Sequence, residues 1–312
     1  MMSEKELTNR LVGALVGLAV GDAVGTTLEF RPPGSFKHIT DMVGGGPFQL
    51  NEGEWTDDTS MALCLAESLL SCHGFDAVDQ MQRYCRWQDE GYLSSNGRCF
   101  DIGNTVSAAL QRFRRQPNRP FCGSTDPHSA GNGGLMRLAP VVIYFASRPE
   151  LAIWFAEEST RTTHGAKTCL ETSAHMAKLL LELFNASSKS DVLDWLATKE
   201  DLARWQEIKS APRSQWPSLG LRGTGYVIES YHAARFCFWA TDNYKEAVLM
   251  AANLGDDADT TAAIVGQLAG AFYGLEGIPA RWRAQIAQSE FIHLTAARLA
   301  ESGLKDKSRW VV

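Results

Sequence analysis

The sequence predicts an all-α fold, a compact orthogonal bundle of helices, on three observations. Apolar residues recur at helical spacing in segment after segment. Those segments are rich in Ala and Leu, which favour helix. No run shows the period-two alternation of a half-buried strand.

In order, the helical segments are 11–28, 59–71, 149–160, 166–184, 191–205, 244–253, 260–274 and 278–288. The one β-prone run, VVIYF at 141–145, follows Pro140 closely enough to begin a helix instead. NASSKS (185–190) and the Pro- and Gly-bearing stretch 209–225 read as loops. Neither separates halves of different composition, so one domain over 1–312 is the simplest account. The first segment, LVGALVGLAVGDAVGTTL, carries glycines at 13, 17, 21 and 25 and resembles a membrane stripe. Asp22 lies inside it, flanking anchors are missing, and no second span accompanies it, so a buried helix with a narrow glycine face is expected.

Composition narrows the function. At 45% apolar and 21% charged, the 312 residues are those of a soluble globular protein. A net charge of −6, with no local block of Lys and Arg, gives no footprint for a nucleic-acid backbone. The seven cysteines are odd in number and never form CxxC, which argues against a disulfide framework and makes a reducing cytoplasm the expected compartment.

Two helix mouths then stand out. NLGDDADTTAAI (253–264) places Asp256, Asp257 and Asp259 before a buried run, and GEWTDDTSMAL places Thr56, Asp57, Asp58 and Thr59 before another. One Asp or Thr at each would be an ordinary N-cap. Carboxylates held about 5 Å apart at an effective dielectric of about 20 repel by roughly 3 kcal/mol, so a compact cluster needs water or a cation. Oxygen-only ligands select Mg²⁺, Mn²⁺ or Ca²⁺. Five carboxylates, Glu29, Asp57, Asp58, Asp257 and Asp259, exceed the needs of one Mg²⁺ and favour a pair of ions. Gly266, Gly270 and Gly274 repeat the spacing of the first glycine stripe. If the two stripes pack antiparallel, Glu29 arrives beside Asp257, Asp259 and Thr260; the alternative is that each packs on another helix.

GALVGLAVGDAVGTTLEF, GEWTDDTSMAL, GNGGLMRLAPV, TTHG and GYVIESYHAARFCF…NLGDDADTTAAIVGQLAGAFYG together resemble the ADP-ribosylglycohydrolases, in order, from about residue 8 to about 290. The resemblance implies an all-helical fold with a two-metal centre, Mg²⁺ or alternatively Mn²⁺, in a central cleft that binds ADP-ribose. It makes Thr56, Asp57, Asp58, Asp257, Asp259 and Thr260 the metal ligands and places Glu29 at the metals. Cleavage at C1 of the distal ribose by water would use a carboxylate to move the proton, with Glu29, Asp58 and Asp257 as the candidates. The family pattern has a second glycine where this chain has Asp256, whose side chain is expected in solvent.

For the substrate, the resemblance raises the glycine-rich loop with Gly131, Asn132, Gly133, Gly134 and Met136 as a diphosphate cradle. It raises His164 as a phosphate or ribose contact, and Tyr226 after Gly225 as a ring against adenine. Asp101 and Gly103 stand before NTVSAALQRF, either as an N-cap region or as an acid for a target guanidinium, which would favour arginine over serine linkages. The expected partner is therefore an ADP-ribosylated protein or an ADP-ribose-linked small molecule, with no membrane involved. Two rivals stay open: a two-metal nucleotide phosphoesterase or pyrophosphatase, and a non-catalytic ADP-ribose-binding relative.

Overall fold

The computed structural model describes residues 2–305; the ends of the expected 1–312 domain, 1 and 306–312, lie outside the described residues. Helices follow in the order α1 (Glu4–Gly25), α2 (Asp57–Cys72), α3 (Ala77–Glu90), α4 (Asn104–Arg115), α5 (Ala139–Tyr144), α6 (Pro149–Arg161) and α7 (Lys167–Asn185). After them come α8 (Leu193–Leu196), α9 (Lys199–Ser210), α10 (Val227–Ala240), α11 (Tyr244–Ala252), α12 (Ala258–Gly277), α13 (Ala280–Gln285) and α14 (Ser289–Leu304). Among the described residues the only β pairing is three isolated bridges. The all-α expectation holds.

At the centre, α1 and α12 lie antiparallel, and their two glycine stripes face each other. Gly13 meets Gly270, Gly17 meets Gly266, Gly21 meets Ala262 and Gly25 meets Ala258. A Cβ on Gly13 would stand 2.5 Å from the Gly270 carbonyl oxygen, so only glycine allows the backbones this close. The hydroxyl of Tyr244 donates to the Gly17 carbonyl at 2.6 Å, fixing α11 onto the same seam. The apolar 4–28 stretch is long enough to cross a membrane, yet 94% of its apolar window is buried inside the protein. α12 is interrupted at Gly274, where φ is 73°.

A second cluster, with Met61, Met81, Tyr84, Trp87, Leu110 and Phe113, packs α2, α3 and α4 together. Gln267 of α12 accepts from the Ala139 amide and donates to the carbonyls of Leu135 and Met136, which pins the glycine-rich loop to the central helix.

The β-prone run 141–145 is helical within α5, with Pro140 in its first turn. The single helix expected over 191–205 is broken: a 3₁₀ turn and α8 precede a new start at Thr198, whose hydroxyl and Asp201 form a reciprocal capping box. The expected 278–288 helix shortens to α13, while α3 and α14, absent from the expected segments, are regular helices.

Candidate active site and metal centre

The α1–α12 seam delivers the first acids. α1 passes through a 3₁₀ turn, Thr26–Leu28, into Glu29, while α12 starts at the opposite end of the seam. Two backbone hydrogen bonds tie the strands of chain together, Phe30 amide to Asp256 carbonyl at 2.7 Å and Asp256 amide to Arg31 carbonyl at 2.9 Å. Gly255 (φ 74°) and Asp256 (φ 56°) are both left-handed, a backbone that an aspartate adopts less readily than glycine. Asp256 departs from expectation in another respect. Its carboxylate takes two 2.9 Å hydrogen bonds from Arg222 and lines the cleft rim instead of pointing freely into solvent.

The start of α2 is held by Asp22, a residue with no assigned site role in the sequence. Its carboxylate, fully buried in α1, accepts from the amides of Thr56 (2.9 Å) and Thr59 (3.0 Å) and from both hydroxyls. These are donors that a local cap would otherwise satisfy. Asp57, Asp58 and Thr56 are thereby aimed at α12. Burial raises Asp22 to about 6, although all four hydrogen bonds act against it.

Two carboxylate triads result. One oxygen each from Glu29, Asp101 and Asp259 lies within 4.8 Å of the others, and the same holds for Asp57, Asp58 and Asp259. Asp259 belongs to both. Asp101 reaches its triad from a left-handed conformation, φ 61°, and does not cap α4, whose N-cap is Gly103. Asp257 falls outside both triads; its carboxylate accepts from Asn132 Nδ2 at 2.7 Å and so joins the glycine-rich loop to the acids.

The charges acting on Asp259 are those of Glu29, Asp101, Asp58 and Asp257, all of one sign. Burial first, then neighbouring carboxylates, raises all three of the α2 and α12 acids: Asp101 leads among the charges on Asp57, Asp22 among those on Asp58 and Glu29 among those on Asp259, each held well above its ordinary value. Burial and Asp101 push Glu29 up to about 11, and burial raises Asp101 to about 7. Thr56 Oγ1 has one proton but lies near three carboxylate oxygens, of Asp22 (2.9 Å), Asp259 (3.2 Å) and Asp58 (3.4 Å). The Thr260 hydroxyl stands 3.3 Å from Asp58. Glu29 Oε2, Asp58 Oδ1 and Asp259 Oδ1 are buried without a hydrogen-bond partner. Unpaired, like-charged, all-oxygen groups in this arrangement fit hard divalent cations.

Above the triads opens a cleft of about 630 Å³. Of the sequence-expected residues, Glu29, Asp57, Asp101, Gly103, Gly131, Asn132, Gly133, Met136, His164, Gly225, Asp257, Asp259 and Thr260 line it. Thr56 and Asp58 lie outside that lining, buried at the α2 start. Gly134 packs against Thr160, and Tyr226, whose ring is half-exposed, pairs its backbone with Gly131 next to the lining. Phe30 and Arg222 line the cleft as well and carried no sequence signal. A lone acid in an apolar helix was the only hint of Asp22.

The ADP-ribosylglycohydrolase family model matches residues 3–308. An ADP-ribosylarginine hydrolase, Tri1, of Serratia proteamaculans is 43% identical, aligned over 96% of this chain and 81% of its own length. Its counterpart in Pseudomonas putida is 41% identical over 96% and 80%. The ADP-ribosyl-[dinitrogen reductase] glycohydrolase of Rhodospirillum rubrum is 28% identical over 97% and 100%. A solved structure described as an ADP-ribosylglycohydrolase-related protein complex superposes with a TM-score of 0.80 at 39% identity, covering 96% of this chain and all of that one. On these matches the chain belongs to the ADP-ribosylglycohydrolase family, hydrolases of ADP-ribose linkages.

Proposed function

We propose that this protein is a metal-dependent hydrolase that frees ADP-ribose from modified arginine side chains in a reducing cytoplasm. The observation that carries the reading is the pair of acid triads sharing Asp259 on the wall of the cleft. The arginine preference is supported by the two relatives above 40% identity, both of them named ADP-ribosylarginine hydrolases. Asp101, an acid that lines the cleft, could also face a guanidinium.

Glu29, Asp101 and Asp259 would hold one divalent ion and Asp57, Asp58 and Asp259 the other, Mg²⁺ or alternatively Mn²⁺, with Thr56 and Thr260 alongside. When bound, such ions act as Lewis acids and lower the pKa of water. The glycine-rich loop, held by Gln267 from below and by Asn132 at the acids, spends the amides of Gly131, Asn132, Leu135 and Met136 on protein carbonyls and leaves those of Gly133 and Gly134 for a diphosphate. Tyr226 presents an exposed ring suited to stacking on a base. In the reaction the C1–N bond of the distal ribose breaks and a water oxygen bonds to C1. The water's proton passes to a carboxylate, and the departing guanidine nitrogen takes up a proton. Glu29 lines the cleft and, ionised once bound cations offset the burial and like charge that raise it, is the best-placed acceptor; Asp58 lies outside the lining and Asp257 is engaged by Asn132.

Incubation with Mg²⁺ and an ADP-ribosylarginine peptide, followed by chromatography of the nucleotides, tests this directly. Release of ADP-ribose is expected, and Asp57→Ala should abolish it. AMP as product would identify a phosphoesterase, and binding without product an ADP-ribose reader. Faster turnover of a serine-linked peptide would overturn the arginine preference.

A further inference from the structure

Beneath the glycine-rich loop runs a set of buried polar groups that the chemistry above does not use. Arg137 is fully buried, and its guanidinium donates to Thr163 Oγ1 at 2.6 Å. Thr163 Oγ1, also fully buried, stands 2.9 Å from His164 Nδ1. The His164 ring packs against the loop glycines: a Cβ on Gly133 would stand 2.5 Å from its Cε1, and one on Gly131 3.1 Å from its Nε2. His164 is 3% exposed and lines the cleft, and its hydrogen bond among the described residues is made through Nδ1.

Proton counting orders this chain. A guanidinium has only donors, so Thr163 Oγ1 must accept from Arg137. Its one proton then needs an acceptor, and Nδ1 is the one within reach. Were Nδ1 to carry a proton, Thr163 would accept twice and its own hydroxyl proton would be buried without a partner, an arrangement native structures avoid. Burial and the Arg137 charge also hold His164 down to about 3, so the ring is neutral. We infer that Arg137 and Thr163 are positioning residues that fix His164 as the Nε2–H tautomer, so that the ring presents a single donor to an oxygen of the ligand in the cleft. That the ligand is a diphosphate-ribose rests on the proposed function; the tautomer does not.

The test uses the intact protein labelled with ¹⁵N-histidine. Long-range ¹H–¹⁵N spectra at neutral pH, with the His164 signals assigned by their loss in His164→Gln, should show pyridine-type Nδ1 and pyrrole-type Nε2, and the Nε2 proton should shift when ADP-ribose is added. Thr163→Val should yield a mixture of tautomers and weaken ADP-ribose binding about tenfold, the loss of one modest hydrogen bond; Thr163→Ser should restore both. A wild-type ring protonated at Nδ1 overturns the inference without any variant, as does a folded Thr163→Ser that fails to restore the tautomer. An Nε2–H ring unmoved by ADP-ribose that calorimetry shows to be bound removes the donor role alone. No binding at all removes the ADP-ribose reading while the Arg137–Thr163 relay stands.

Discussion

Replacing Asp259 with Asn should have opposite effects on stability with and without divalent ions, because this residue is common to both triads. Its carboxylate lies within 4.8 Å of four others, and at an effective dielectric of about 20 each ionised pair at that distance repels by roughly 3.5 kcal/mol. The full sum is not realised, since burial and mutual repulsion raise these acids and the ion-free fold takes up protons. An acid whose folded pKa is raised is protonated in the native state and ionised in the unfolded one, so stability falls as pH rises from the unfolded value toward the folded one. At pH 7.5 in a chelator, Asp259→Asn should therefore gain about 1–3 kcal/mol, less than one full pair repulsion, and less again at pH 5. On the proposed two-ion reading, divalent ions should reverse the order. At a hundredfold excess over Kd each occupied site adds about 2.7 kcal/mol to the wild type, whereas the variant has lost a ligand from both triads. Thermal melts in chelator and in Mg²⁺ or Mn²⁺, with calorimetric titration of the ion, read the crossing directly. A variant with a wild-type Mg²⁺ shift, or a wild type with none, would refute the shared-ligand reasoning. Asp22→Asn is the control: equally buried, but committed to four hydrogen bonds at the α2 start, it should lose stability in both conditions.

Three further outcomes are expected. Gly17→Ala places a Cβ inside contact distance of the Gly266 carbonyl, where both sides are helix backbone, and should cost roughly 1–3 kcal/mol or prevent folding; Gly74→Ala, with open space around it, should be near neutral in the same urea titration. His164, at about 3 in the fold and 6.5 unfolded, contributes stability that is complete above pH 6.5 and lost as pH falls toward 3. At pH 5 the loss is about 2 kcal/mol, read as the pH-dependent part of the difference between wild type and His164→Gln. Asp256→Gly gives up a half-exposed ion pair with Arg222 but relieves a left-handed aspartate, so its melting temperature should stay within about 2 °C of wild type; a larger drop would mean that the rim pair holds the turn.

Most of the helical bundle and the two acidic helix mouths were legible because their signals are local. Helical spacing marks a buried face, and paired acids beside threonine exceed what a cap requires. Asp101 was harder to place, since it enters its triad from a left-handed loop residue and no periodicity predicts where such a side chain points. The role of Asp22 was hidden for a related reason: it caps a helix 34 residues further along the chain, whereas cap signals are read at the helix they precede. The break at Thr198 was missed because the apolar spacing of 191–205 runs across a capping box that only the polar positions reveal.

The link between these levels lies in the glycine seam. A four-residue repeat shifts its facing position only slightly per turn, so the small residues of α1 and α12, glycine on glycine at one end and glycine on alanine at the other, stay opposed along the helices and fix both their separation and their register. The pairing of Gly25 with Ala258 places Glu29 and Asp259 at the same end of that seam, where they share a triad. A side chain in place of hydrogen at one of the seam glycines would push the axes apart, and Glu29 would part from Asp259 before any acid was altered. Activity is therefore expected to respond to seam substitutions far from the cleft, and a seam variant that still folds should lose ion affinity in proportion to the separation it imposes.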